Sequence, residues 1–138
     1  MIKPQVFLCD IDGTIALRGE RGPYDFSLVI EDAPRPHMAD ILHTLAKSYK
    51  IIYVSGRKQH CRPATEYWLG IHQFPFSDLI FMRGNNDDRA DSIIKAEILV
   101  TQIFPYFTVI GVFDDRSSVV SMWRKHKLLC FQVDSGNF

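Results

Sequence analysis

The sequence has no surplus of either charge, since 16 lysines and arginines balance 16 aspartates and glutamates among its 138 residues. A protein that coats nucleic acid is usually strongly basic. The balance therefore argues against that class, although a small basic groove beside an acidic site would disappear in the sum. Long hydrophobic runs are also missing, and nothing approaches the roughly 18 apolar residues of a membrane helix. No signal peptide is visible, so we expect a cytoplasmic protein with no membrane partner.

The sequence is also poor in cysteine and lacks the spacings of zinc sites. Its three cysteines, Cys9, Cys61 and Cys130, leave an odd number, and no two of them form a C-x-x-C pattern. We expect them to be reduced and mostly buried thiols, as in intracellular proteins. The five histidines show no zinc-ligand spacing, so a zinc site is not expected.

What the sequence does contain is an alternation of short apolar runs with segments of helical periodicity. This pattern predicts a doubly wound, Rossmann-like α/β fold: a five-stranded parallel sheet with helices on both faces. The expected strands are residues 5–9, 50–55, 79–82, 109–113 and 128–133, and the expected helices are residues 37–49, 62–69, 92–103 and 119–126. The stretch of residues 16–36 is longer than an ordinary connection between secondary-structure elements. We therefore predict a short cap insertion there, within a single domain of residues 1–138.

Polar side chains stand at the ends of three of the predicted strands. Asp10 and Asp12 come after the first strand, Ser55 is the last residue of the second, and Asp114 and Asp115 come after the fourth. The carboxyl ends of parallel strands share one edge of the sheet, so we expect these side chains to converge there. Burying carboxylates without partners costs several kcal/mol, roughly. An oxygen-rich site of this kind suits Mg²⁺, which we predict as the cofactor.

Two carboxylates one residue apart can divide the work of phosphoryl transfer. One attacks as a nucleophile, and the other moves protons to and from the reacting oxygens. Gly13 allows the backbone to turn sharply beside the phosphate. Ser55 and Lys95 can supply the hydrogen-bond donors and the positive charge that such a reaction requires.

The segment Asp10-Ile11-Asp12-Gly13-Thr14 resembles the first motif of the haloacid dehalogenase (HAD) superfamily of phosphatases. Ser55, Lys95 and the pair Asp114-Asp115 stand where the second, third and fourth motifs of that superfamily belong. Further segments resemble the phosphatase domain of the phage polynucleotide kinase 3′-phosphatase family and span nearly the whole chain. They are residues 21–25, 54–57, 83–91, 113–116, 122–124 and 132–138.

The resemblance implies a role for each matching position. Asp10 would be the nucleophile that becomes an aspartyl-phosphate, and Asp12 would be the general acid and base. The implied metal ligands are Asp10, the backbone carbonyl of Asp12, Asp114 and Asp115. Ser55 and Lys95 would hold the transferred phosphoryl group. The implied substrate-binding positions are Arg21, Arg57, Arg83, Arg89, Arg116 and Asp91, the last of which would orient Lys95 or the metal-bound waters.

Several of these residues also have a purely structural interpretation. Asp91 could serve only as the N-cap of a helix that begins at Ser92, and Asp114-Asp115 taken alone could mark a helix N-terminus. Trp68 and Trp123 could stack on bases, but their helical spacing among aliphatic residues favours the core.

The implied activity is magnesium-dependent removal of terminal 3′-phosphate from DNA or RNA ends, with 2′,3′-cyclic phosphate as a further candidate. The kinase loop G-x-x-x-x-G-K-[ST] of the bifunctional phage enzymes is absent, so kinase activity is not expected in this chain, and a separate kinase or ligase partner remains open. One alternative is a nucleotidase or small-molecule phosphatase on the same scaffold. Another is a non-catalytic module that binds nucleic-acid ends, against which the intact Asp10 and Asp12 argue.

Overall fold

The computed structural model describes residues 2–22 and 25–138. Within them the strands are β1 (Gln5–Cys9), β2 (Ala16–Leu17), β3 (Ala33–Pro34), β4 (Lys50–Lys58), β5 (Ile80–Arg83), β6 (Thr108–Asp114) and β7 (Cys130–Gln132). The α-helices are α1 (Met38–Ala46), α2 (Arg62–Ile71), α3 (Asp91–Ile98) and α4 (Ser117–Lys125). Pro23 and Tyr24, which belong to one of the segments that carry the resemblance, lie outside the described residues.

Strand β1 occupies the centre of a five-stranded parallel sheet with the order β5-β4-β1-β6-β7. The chain leaves β1 towards β4 and β5 on one side and then crosses to β6 and β7 on the other. The strand order therefore reverses beside β1, and ligands of such sheets bind at the carboxyl ends of the strands next to this switch. The predicted doubly wound parallel sheet is confirmed.

Both faces of the sheet are covered, because the side chains of each strand alternate between two apolar clusters. Phe7 packs in the cluster that contains residues of α1 and α2, with Trp68 fully buried. Its neighbour Leu8 packs in the opposite cluster, which contains residues of α3 and α4 around Trp123. Both tryptophans are core residues, as the sequence predicted.

Two elements differ from their predicted bounds in ways that affect the site. Strand β4 continues to Lys58, so Ser55 lies inside the strand and not at its end as predicted. Helix α3 begins at Asp91 with Ala90 as its N-cap, so the interpretation of Asp91 as a cap is wrong. After α3, the backbone N–H of Phe104 donates to the carbonyl of Leu99. This closes a π-helical turn over Leu99–Ile103, which accounts for the rest of the predicted helix.

In the described part of the segment predicted as a cap, residues 16–36, Arg21 and Arg35 contact Asp12 and Gly13 in the turn after β1. Strands β2 and β3 pair antiparallel, and a 3₁₀ helix spans Phe26–Glu31. The indole Nε1 of Trp68 donates to the carbonyl oxygen of Asp32 at 2.8 Å, which fastens the segment to α2. None of the helices in the described part of the chain combines the length and the apolar character needed to cross a bilayer.

Candidate active site

Three buried carboxylates and one buried ammonium group meet where β1 and β6 end. One oxygen from each of Asp10, Asp114 and Asp115 lies within 4.8 Å of the other two. The Nζ atom of Lys95, on α3, donates to Asp10 Oδ1 at 2.7 Å and to Asp114 Oδ2 at 3.2 Å. Lysines are rarely buried unless they are paired, yet Lys95 is only 2 % exposed. Four of the residues predicted from the sequence therefore come together here.

The turn after β1 brings the carboxylates close to one another. Gly13 has a φ of +81°, a left-handed conformation that glycine adopts without strain. A Cβ atom at this position would lie 2.0 Å from Asp115 Oδ2, so the close approach of the Asp115 carboxylate also favours glycine. The Oγ1 atom of Thr14 donates to Asp10 Oδ2 at 2.8 Å. Both oxygens of Asp10 are thus held, one by Thr14 and the other by Lys95.

The charges within this cluster do not balance. Three ionised carboxylates against one ammonium group leave two negative charges. Burial, together with the charge of Asp114, raises the pKa of Asp10 well above its usual value, although Lys95 opposes the rise. Burial also raises the pKa of Asp115. Burial by itself would lower the pKa of Lys95, but the charges of Asp10 and Asp114 outweigh it, and the pKa is raised.

The ligand set of this cluster fits a hard divalent cation. Its candidate ligands are carboxylate oxygens, with no histidine or cysteine among the described residues of the group. Oxygen ligands of this type suit Mg²⁺, Ca²⁺ or Mn²⁺. A divalent ion would also offset the two surplus negative charges, so the residues are compatible with a metal site.

Asp12 has a different environment from Asp10. Arg57 donates to both of its oxygens, from Nε to Oδ2 at 3.0 Å and from Nη2 to Oδ1 at 2.7 Å. Arg21 donates to Asp12 Oδ1 at 3.0 Å. The side chain remains 36 % exposed. Burial tends to raise the pKa of Asp12, but the hydrogen bond and charge of Arg57 and the charge of Arg21 outweigh it and lower the pKa.

A second aspartate, Asp32, completes this arginine cluster. It accepts hydrogen bonds from Arg21 Nε at 2.8 Å and Nη2 at 2.9 Å, and from Arg57 Nη2 at 3.3 Å. Its side chain is 1 % exposed. Two arginines and two aspartates therefore form a network without net charge, in which Asp12 faces the cleft and Asp32 lies beneath it.

The structure does not bring all the predicted substrate contacts to the surface of the site. Ser55 is fully buried, and its Oγ accepts the backbone N–H of Arg57 at 3.1 Å. The guanidinium of Arg57 is also buried and donates to Thr65 Oγ1 at 2.9 Å. Neither residue lines the cleft that contains Asp10 and Asp12. Arg57 is placed to hold Asp12.

Asp91 connects two of the predicted arginines. Arg83 donates to its Oδ1 atom, and Arg116 donates to Oδ2 at 3.4 Å. Gly56 gives it room, because a Cβ there would lie 2.4 Å from Asp91 Oδ1. The guanidinium of Arg89 pairs with Asp87 and Glu97 at the surface, and its backbone carbonyl accepts a hydrogen bond from Arg83 Nη1 at 2.6 Å.

These residues surround one open cleft of about 830 Å³. Its floor contains Asp10, Asp12, Lys95 and the aspartates that end β6. Basic groups surround this acidic floor, and they include Arg18, Arg21, Arg35, Lys58, Arg83, Arg89 and Arg116. Several of these basic groups pair with carboxylates that also line the cleft, for example Lys58 with Asp88 and Arg35 with Asp134, so the lining carries both charges.

Sequence reasoning missed three contributors to the site. Asp32 is one, and Arg35 is another, since its Nη2 donates to the carbonyl of Gly13 at 2.8 Å and to Asp134 Oδ2 at 2.9 Å. Trp123 was predicted only as a core residue, but its Nε1 also donates to Asp114 Oδ2 at 3.0 Å. A buried tryptophan usually finds a partner for its N–H, which was the one available signal.

Comparison with known proteins identifies the family of this chain. The family model of the polynucleotide kinase PNKP phosphatase domain matches residues 4–138. A protein of Autographa californica nuclear polyhedrosis virus, whose assigned function is bifunctional polynucleotide kinase/RNA ligase, is 35% identical over 128 residues. That match covers 91% of this chain and 18% of the viral protein.

Solved structures are also similar to this chain. A chain in the structure of the Pnkp1/Rnl/Hen1 RNA repair complex has a TM-score of 0.94 and 39% identity. The match covers 99% of this chain and 44% of that one, so this chain spans less than half of it. The Class C acid phosphatase from Bacillus anthracis has a TM-score of 0.66 at 20% identity over 94% of this chain and 66% of the enzyme, which shows a shared fold. This chain belongs to the polynucleotide kinase PNKP phosphatase domain family and is a HAD-type phosphomonoester hydrolase.

Proposed function

We propose that this protein is a magnesium-dependent polynucleotide 3′-phosphatase that acts on RNA or DNA ends. The observation that carries the proposal is the cluster of Asp10, Asp114, Asp115 and Lys95 in a chain of this family. The resemblance implies Mg²⁺ as the ion, and the three carboxylates suit it. When bound, Mg²⁺ would supply positive charge that offsets the carboxylates and the incoming phosphate.

In the first step, a carboxylate oxygen of Asp10 attacks phosphorus. The bond between phosphorus and the 3′ oxygen breaks, and the leaving oxygen takes a proton from Asp12. Lys95 and the hydroxyl of Thr14 orient the carboxyl group of Asp10 at the start, and the charge of Lys95 favours its ionised form. The result is an aspartyl-phosphate on Asp10 and a free 3′-hydroxyl.

In the second step, water attacks the aspartyl-phosphate and gives a proton to Asp12. The bond between phosphorus and Asp10 breaks, which releases inorganic phosphate and restores the carboxylate. Arg57 and Arg21 favour the ionised form of Asp12 in the free protein, which suits its role as a base. A phosphate dianion beside Asp12 raises its affinity for a proton, which suits the acid role once substrate is bound.

The shape and lining of the cleft support a polymer end as the substrate. Residues 16–36 form a short cap, and the cleft remains open beside it, with basic side chains that suit phosphates along a strand. The Pnkp1 structure comes from an RNA repair complex, so we favour RNA ends over DNA ends and include 2′,3′-cyclic phosphate as a candidate substrate. A kinase or ligase partner is part of the same proposal, as is a single domain over residues 1–138.

A nucleotidase or small-molecule phosphatase is the second candidate. The cleft volume of about 830 Å³ falls in the range of ordinary small-molecule pockets, about 300–1,000 Å³. A free nucleotide is therefore compatible with the same site.

Phosphate release separates the two candidates. The substrates are RNA and DNA oligonucleotides with a 3′-phosphate, the same oligonucleotides with a 5′-phosphate, and free nucleotides, each tested with Mg²⁺ and with a chelator. We expect magnesium-dependent release from the 3′-phosphate oligonucleotides. A preference for free nucleotides would favour the second candidate.

A pair of variants tests the chemistry. Asp10→Asn is expected to lower kcat by about a thousandfold or more, because the nucleophile is lost. Asp78→Asn is the control, since Asp78 precedes β5 at the other edge of the sheet and pairs with Lys50 at the surface. Unchanged turnover in Asp10→Asn would refute covalent catalysis by this residue.

A further inference from the structure

The segment that follows β7 is fastened to the loop that carries the acidic residues. The backbone N–H of Val133 donates to the carbonyl of Asp114 at 3.1 Å, and that of Ser117 donates to the carbonyl of Gly136 at 2.9 Å. The side-chain amide of Gln132 donates to the carbonyl of Asp115 at 2.9 Å. Residues 133–138 therefore lie along the loop that carries Asp114 and Asp115, and backbone hydrogen bonds at Val133 and Gly136 hold them there.

Gly136 allows the closest of these approaches. A Cβ atom at this position would lie 1.8 Å from the backbone oxygen of Asp115 and 2.8 Å from the Cα of Arg116. Both neighbours are backbone atoms, which cannot move aside as a flexible side chain can. The segment is therefore held in position beside the acidic loop, and the residues that follow Gly136 reach the edge of the cleft.

Phe138 is the residue that this segment delivers to the cleft. Its ring lies 4.8 Å from the guanidinium carbon of Arg116, within the range of a cation–π contact. The residue nevertheless remains 68 % exposed. Among the described residues that line the cleft, it alone carries a phenyl ring. Arg116 holds the ring, and most of its surface stays available to a ligand.

We propose that Phe138, supported by Arg116, forms a nucleobase subsite at the rim of the active-site cleft. The proposal rests on the proposed function, because a nucleobase reaches this rim only if the substrate is a nucleotide or a polynucleotide end. A phenyl ring stacks on any base, since every base presents a π-face. The subsite would therefore favour ends that carry a base without selecting the sequence.

A single exposed phenylalanine is common at protein surfaces and needs no function. Phe76 is such a case, since it is 91 % exposed and does not line the cleft. Phe138 differs from it in two respects: it lines the site, and an arginine that also contacts Asp91 lies over its ring. Phe76 is therefore the matched control.

The test compares two 3′-phosphate oligonucleotides, one complete and one in which the last two nucleosides lack their bases. The measured quantity is the ratio of kcat/KM for the complete end to kcat/KM for the abasic end. Phe138→Ala is expected to lower this ratio about tenfold, mainly through KM, because stacking of one base contributes on that order. Phe138→Trp is expected to retain the ratio, and Phe76→Ala to leave it unchanged.

The outcomes separate this proposal from the proposed function. A wild-type ratio near one, or an equal ratio in wild type and Phe138→Ala, overturns the subsite while phosphate release from both oligonucleotides supports the function. No release from either oligonucleotide overturns the function. In that case the same ratio is measured with a nucleoside 3′-monophosphate and ribose 3-phosphate, and the same expectation for Phe138→Ala applies.

Discussion

Asp32 offers a direct test of how the two aspartates of the arginine network differ. Asp32→Asn and Asp12→Asn each remove one negative charge from the same two arginines, and neither creates a cavity. The two positions differ in solvent exposure, since the side chain of Asp32 is 1 % exposed and that of Asp12 is 36 % exposed. We expect Asp32→Asn to be much the more destabilising substitution.

The magnitude follows from the contacts. Asp32 accepts three hydrogen bonds from two guanidinium groups, and breaking a buried ion pair by removing one partner costs about 3–5 kcal/mol. In Asp12→Asn both arginines remain paired with Asp32, and the new amide is in contact with water. We therefore expect the free energy of unfolding to fall by about 1 kcal/mol. For a chain of this length, 1 kcal/mol corresponds to roughly 3–4 °C in Tm. The expected decreases in Tm are therefore about 9–20 °C for Asp32→Asn and about 3–4 °C for Asp12→Asn.

Thermal unfolding and a phosphate-release assay, applied to both variants, together test this expectation. Asp12→Asn should lose turnover while it keeps most of its stability, and Asp32→Asn should show the larger drop in Tm. The double variant Arg21→Met/Asp32→Leu should cost less than the sum of its single variants by about 1–3 kcal/mol, because the two residues share an interaction. Equal Tm losses in Asp32→Asn and Asp12→Asn would refute the argument from solvent exposure.

Three further variants or conditions test other parts of the structure. Lys95→Met removes the one ammonium group of the carboxylate cluster, so kcat should fall about a hundredfold in a phosphate-release assay. Gly136→Ala should lower the free energy of unfolding by about 1–3 kcal/mol through its backbone clash, whereas Gly70→Ala, with nothing within 4 Å of the added Cβ, should raise it by up to about 1 kcal/mol; denaturant titration measures both. Burial raises the pKa of Cys130 from 9.0 to about 12, so the folded chain keeps this proton while the unfolded chain loses it. Its contribution to stability is then present below about pH 9 and lost as the pH rises further, and near pH 8 its alkylation, followed by mass spectrometry, should be slow until the chain is unfolded.

The sheet and its acidic edge could be predicted from the sequence because their signals are local. Residues 5–9 form one uninterrupted apolar run, which is typical of a strand covered on both faces. Asp10 follows this run directly, so its place at the carboxyl end of the first strand could be predicted. The same reasoning placed Asp114 and Asp115 at the end of β6, next to Asp10 in space.

No local sequence pattern indicates the arginine network of Asp12, Arg21, Asp32 and Arg57. Arg57 and Asp12 are 45 residues apart in sequence, and Arg57 and Asp32 are 25 apart, so only the tertiary fold brings them together. Resemblance placed Arg21 and Arg57 at the substrate, and their buried contacts to Asp12 become visible only in the structure. Helix periodicity likewise could not indicate that Lys95 is buried, because its acidic partners come from β1 and β6.

A single residue separates the two aspartates of the D-x-D motif, and the fold gives each a separate set of cations. Asp10 is held by Lys95 from a helix packed on the sheet, and every member of its cluster belongs to the central α/β layers. Asp12 is held by Arg57 from β4 and by Arg21, which lies in the cap segment with Asp32. A change at Arg21 in the cap therefore reaches Asp12 directly, and a change at Asp32 reaches it through the two arginines. Arg35 of the same segment reaches the turn beside Asp10 by donating to the carbonyls of Gly13 and Thr14. On the proposed mechanism, variation of Arg21 or Asp32 would act mainly on proton transfer by Asp12, while Lys95, the cation that contacts Asp10, belongs to the core of the fold.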